Sequence, residues 1–125
     1  MKLRTLLMLT GIVGVTYGLS ALLIPAVLLS VYGISPGPAE VLTIRLFGVE
    51  IFAVGLVTWF GRNVTEAGAQ RAFCLGLSIA FAAGAIVSLH GTLSGVMNAV
   101  GWLAVGLFAV FALGFGYFQF VKPRT

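Results

Sequence analysis

Charge is what this sequence has least of. Its 125 residues include three acids, seven bases and one histidine, so 8% is charged while 60% is hydrophobic. An ordinary soluble domain carries roughly 25% charged residues. So few polar groups cannot cover the surface of a water-soluble domain, whereas a bilayer-embedded chain needs them chiefly at its two ends. Cysteine is nearly as scarce. Cys74 has no second cysteine to bridge with, and no Cys/His set with metal-ligand spacing is present, so a disulfide scaffold and an ordinary metal site are both excluded. Aspartate is absent, and three glutamates leave little for hydrolytic or metal-assisted chemistry. There is no nucleophile elbow, P-loop, dinucleotide fingerprint or HExxH motif. No catalytic residue, metal or cofactor is therefore expected. The net charge of +4 raises nucleic-acid binding, but the bases are scattered rather than gathered into a stripe, and no nucleic-acid partner is expected.

What is present is hydrophobic length. Four apolar runs, about 6–31, 41–60, 72–89 and 99–121, are each near or above the roughly 20 residues that cross the hydrocarbon core. They are apolar on every face, unlike the alternating segments of a β-barrel. The expected fold is all-α, a single integral membrane four-helix bundle with the lipid bilayer as its surroundings. The first run outlasts a signal-peptide core and reads as a retained span. Pro25 should kink it near its end, and Pro36 and Pro38 in the loop that follows forbid the helix to continue. Lys2, Arg4, Arg62, Arg71, Lys122 and Arg124 all fall on one side of a four-span chain, while the loops at 32–40 and 90–98 have no lysine or arginine. The positive-inside rule then places both termini in the cytoplasm. Tyr32, Trp59, Trp102 and Tyr117 lie near predicted span ends, where aromatic belts are expected.

Helices in lipid associate by close backbone approach, which small residues permit. Ala72, Gly76, Ala80, Gly84 and Ser88 form a ladder of small residues at every fourth position along span three, and Gly14 and Gly18 form a GxxxG in span one. Span three is thus expected to be the central packing helix. The two halves also align at an offset of 58, with Gly18-Leu19-Ser20 on Gly76-Leu77-Ser78 and Gly48 on Gly106. That pattern raises a tandem duplication of a helical hairpin, a parallel repeat about an axis along the membrane normal.

Charges inside spans are costly and point to function. Arg45 lies roughly 6 Å inside the outer end of span two, so it can snorkel to the headgroups. Glu50 lies roughly 14 Å deep, beyond the reach of its short side chain. It is expected to face neighbouring helices, either protonated or partnered. Arg45 is about 140° away round the helix, a poor intrahelical partner. Tyr17 is level with Glu50, while His90 and Asn98 sit near the depth of Arg45. Together these five residues suggest a polar pocket opening to the outer face, a candidate ligand or proton site.

The run from Gly11 to Pro25, with Tyr17-Gly18-Leu19-Ser20-Ala21-Leu22-Leu23 before the proline, the Tyr32-Gly33 turn, Arg45-Leu46-Phe47-Gly48-x-Glu50 and Gly55-Leu56 resemble a family of small four-span bacterial membrane proteins, distantly DoxX-like. The resemblance covers nearly the whole chain. It implies a four-helix membrane bundle and carries over no catalytic residues. The expected function is non-enzymatic: binding of a lipophilic ligand, or service as an accessory subunit among other membrane protein subunits. The alternative is a small proton-linked transporter working as a homodimer, with a lipid- or quinone-modifying enzyme as a weaker third reading.

Overall fold

The computed structural model describes residues 1–121, and among them every regular element is helical. The elements are α1 (Leu3–Leu23), α2 (Pro25–Val31), α3 (Pro38–Phe60), a single 3₁₀ turn (Gly61–Asn63), α4 (Ala67–Leu93) and α5 (Gly101–Phe120). Four helical stretches, in α1, in α3 with its 3₁₀ turn, in α4 and in α5, are long and apolar enough to cross a membrane. Lys122 and Arg124 lie outside the described residues. The remaining bases of the expected inner side, Lys2, Arg4, Arg62 and Arg71, flank α1, α3 and α4 at one end.

Pro25 does more than kink the first span. It has no N–H to donate, and its ring restricts the preceding residue. Ile24 leaves the helical region at φ −131°, ψ 54°, so α1 stops and α2 starts with Pro25 at its first position. Gly33, at φ +76°, then turns the chain through a conformation that a side chain would strain. The third span runs about four residues longer at each end than its apolar core. Its start is fixed by Glu66, whose two carboxylate oxygens each accept a backbone N–H, from Gly68 and from Ala69, at 2.7 Å.

These two N–H groups hold the Glu66 carboxyl below its ordinary value of 4.5. A carboxyl depressed on folding stabilises above its unfolded pKa and loses that contribution as pH falls through the folded value. Glu66→Ala should therefore lower the unfolding temperature in detergent at pH 7. The gap to the parent should shrink as the buffer is taken below about pH 4.5. A gap that widens on acidification would contradict the cap.

Two antiparallel hairpins make the bundle. In the first, α1 and α3 approach backbone to backbone. A Cβ on Gly14 would sit 2.8 Å from Gly55 Cα, one on Gly18 would sit 2.7 Å from Phe52 N, and one on Gly55 would sit 2.6 Å from Val15 N. In the second, α4 and α5 are held by aromatic rings. Phe81 lies 5.5 Å from Phe111 and 6.1 Å from both Phe108 and Phe115, ring centre to ring centre. The hairpins join where Leu3, Leu6 and Leu7 of α1 meet Phe111, Phe115 and Phe118 of α5, with Cys74 and Phe81 from α4.

The central helix is therefore α1, not span three. In α1, 39% of the span is buried, against 17% in each of the others. The ladder on α4 mostly faces away from the bundle: Ala72, Gly76 and Ala80 are exposed, Gly84 receives the Phe108 ring and only Ser88 is buried. The sequence ladder is real, but the cores of both hairpins are completed without most of it. The glycines paired by the offset of 58 also differ in surroundings. Gly18 and Gly48 lie in the α1–α3 contact, whereas nothing lies within 4 Å of a Cβ placed on Gly76 or Gly106.

Candidate functional site

The five polar residues expected to share a pocket are not brought together. Tyr17, half-buried on α1, donates its hydroxyl to the Tyr32 hydroxyl at 3.2 Å and meets the Phe47 ring edge-on at 6.1 Å. It therefore serves Tyr32 and not Glu50. Asn98 is a tie between loops. Its amide nitrogen donates to Val31 O at 3.1 Å, its backbone N–H donates to Tyr32 O at 3.0 Å, and its side-chain oxygen accepts from Val100 N at 3.0 Å. His90 is exposed on the last turns of α4. Arg45 is exposed on α3, on the flank opposite Glu50 by helix geometry. Tyr32 does not belong to the aromatic belt, being 7% exposed, whereas Trp102 and Tyr117 are about half exposed as belt residues are.

Glu50 is the main correction. It does not face neighbouring helices: it is exposed on the outer side of α3. Among the described residues its carboxylate has no hydrogen-bond or ion-pair partner. Glu50 is ten residues before Phe60, and Gly76 nine after Ala67, so both stand about 14–15 Å from the same end of the bundle at 1.5 Å per residue. In a bilayer crossed by these helices that level is close to the middle, where a carboxylate reaches water from neither side.

The surroundings of Glu50 are equally specific. Although α3 and α4 are consecutive spans, each packs chiefly on another helix, and they hardly touch. Between them runs a groove of about 480 Å³, walled by Ala53 and Val57 on one side and Ala72, Phe73 and Gly76 on the other, with Glu50 on its margin. Ala72 and Gly76 of the small-residue ladder line this groove. Small walls admit a neighbouring backbone, and a bare carboxyl beside them asks for a donor.

A second space lies at the heart of the bundle, where Thr10, Val13 and Tyr17 of α1 face Phe81, Leu107 and Phe108 of the other hairpin. Its volume is about 60 Å³. An apolar cavity that takes up benzene is nearer to about 150 Å³. The hydroxyls at its rim are already used, Thr10 donating to Leu6 O at 2.9 Å and Tyr17 to Tyr32. Nothing there pairs a nucleophile with a base, and no group of three metal-ligating side chains occurs among the described residues.

No protein-family model, curated protein or solved structure matches the chain. The fold and the groove define a multi-pass, all-helical membrane protein whose most unusual feature is an uncovered carboxyl on a groove of small residues.

Proposed function

We propose that this protein is a non-enzymatic accessory subunit of a larger membrane complex, seated through the α3/α4 groove against a transmembrane helix of another protein. Its resemblance to DoxX-like four-span proteins and its bases at one end fit a bacterial inner membrane with both termini cytoplasmic. The observation that carries the reading is Glu50. A charged residue at the helix centre costs about 3 kcal/mol on insertion scales. A partner helix that brings a basic or hydrogen-bonding side chain to mid-bilayer removes that cost, and Ala53, Ala72 and Gly76 let its backbone come close. The lipophilic-ligand reading finds less room, since the central cavity, at about 60 Å³, is less than half the volume that accepts a benzene ring.

Purification from native membranes in mild detergent tests the proposal. The chain should copurify with a second membrane protein. Glu50→Leu should weaken that association by about 1–2 kcal/mol, roughly 5- to 30-fold, while leaving the unfolding temperature of the isolated chain unchanged. Recovery of parent and variant alike as a lone particle would contradict it. The proton-linked transporter reading draws on the same mid-bilayer carboxyl, with a second copy of the chain covering it. It predicts a homodimer and proton-coupled flux in liposomes that Glu50→Gln abolishes.

A further inference from the structure

A second polar site lies at the end of the bundle where the bases gather, well away from Glu50. The start of α1, the 3₁₀ turn after α3 and the start of α4 surround a cleft of about 400 Å³. Lys2, Arg4 and Arg62 contribute three positive charges to it, beside the polar side chains of Asn63, Thr65 and Gln70, and no acid lines it. The nearest acid in sequence, Glu66, is committed to the N–H groups of Gly68 and Ala69.

Both arginines are held by one anchoring bond that leaves most of the guanidinium unspent. Arg4 Nε donates to Asn63 Oδ1 at 2.9 Å. One terminal nitrogen of Arg62 donates to Trp59 O at 2.7 Å, and its guanidinium carbon sits 4.5 Å from the centre of the Trp59 ring. A guanidinium has five N–H donors in a planar fork that matches phosphate oxygens. Three like charges brought to one cleft repel each other until an anion sits between them. The cleft also adjoins the first turn of α1, where the N–H groups of Thr5 and Leu6 are taken by Lys2 O and those of Leu3 and Arg4 remain to favour an anion. Its apolar wall is Leu3 and Leu7, both buried in the core. Arg4 and Arg62 stand at one end of the apolar spans, the level at which a bilayer crossed by these helices presents its headgroups.

We propose that this cleft binds a phosphate group, supplied by the headgroup of an anionic phospholipid in the adjacent leaflet. The site is independent of the groove and of the subunit reading. Basic pockets between helices are suited to such headgroups.

The test is lipid binding to the purified full-length chain in neutral detergent, read by native mass spectrometry, with phosphatidylglycerol and phosphatidylcholine as probes. Phosphatidylglycerol should bind about tenfold more tightly than phosphatidylcholine, and the preference should fall away with rising salt. The double variant Arg4→Gln/Arg62→Gln should lose the preference. Arg71→Gln, which removes a base outside the cleft, should keep it. Because Arg4 and Arg62 also brace Asn63 and Trp59, Lys2→Gln serves as the variant that breaks no side-chain hydrogen bond or ion pair, and it should lower the preference about threefold. Displacement of bound phosphatidylglycerol by excess inorganic phosphate would support the phosphate site and assign a soluble source. Retention of the lipid would support the headgroup. Equal binding of the two lipids, or the same loss in Arg71→Gln as in the double variant, would overturn the proposal.

Discussion

Gly55→Leu should prevent the first hairpin from closing, and Gly55→Ala should already cost about 1–3 kcal/mol. The reason is what the new atom would meet. A Cβ at residue 55 lands 2.6 Å from Val15 N, 2.8 Å from Gly14 C and 3.1 Å from Gly11 O, all of them backbone atoms of α1. A flexible side chain could swing aside, but a helix backbone moves only as a whole, so α1 and α3 must separate along their length. That separation also loosens the contacts of Gly14, Gly18 and Gly48, which share the same seam. In lipid these contacts are most of the attraction between the two helices, because the hydrocarbon tails are as apolar as the side chains. Gly76→Ala is the control. Nothing lies within 4 Å of its Cβ position, and alanine favours a helix interior over glycine, so the unfolding temperature of the isolated chain should not fall. Equal losses at residues 55 and 76, measured by thermal unfolding in detergent, would contradict the close approach of α1 and α3.

Phe115→Ala should be the most damaging substitution between the hairpins, at about 2–3 kcal/mol. Phe115 has no exposed surface and joins Leu3, Leu6 and Leu7 of α1 to Phe81 of α4. In a soluble core a Phe→Ala change costs about 3–5 kcal/mol, part of it the lost transfer from water. Here the separated helices lie in lipid and not in water, so the transfer contribution largely drops out and the empty space and lost dispersion contacts remain. The expected cost therefore falls below that range. Phe120→Ala, at a ring that is 74% exposed, should cost almost nothing. A loss at residue 115 no larger than at residue 120 would show that the hairpins do not meet as described.

The span count, and the gathering of Lys2, Arg4, Arg62 and Arg71 at one end, are legible in the sequence because hydropathy and charge need only position along the chain. The break at Pro25 was legible in kind, since a missing N–H and a ring clash act locally. Which faces meet was not legible, and the physical reason is that these helices are apolar all round, so no amphipathic period marks an inside. Two stripes of small residues then competed as packing faces. Gly14 and Gly18 are used within the chain and Gly76 is not, a choice made by the complementary Gly48 and Gly55 on α3 rather than by the stripes themselves. Tyr32 resembled a belt residue because it stands at a span end, yet the turn at Gly33 folds it inward onto Tyr17. An inward-facing Glu50 is the expectation from the single chain, because lipid exposure is expensive. That expectation counts only this chain's own helices as neighbours; on the subunit proposal the outward carboxyl of Glu50 is covered by another chain.

The central claim is that protein, and not lipid, covers the α3/α4 groove. Photo-crosslinking in native membranes from a reactive side chain at Ala72, inside the groove, against one at Leu113, 74% exposed on α5, tests it most directly. The account predicts a discrete protein adduct from residue 72 that Glu50→Leu diminishes, and lipid adducts alone from residue 113. Lipid adducts alone from both positions would contradict it.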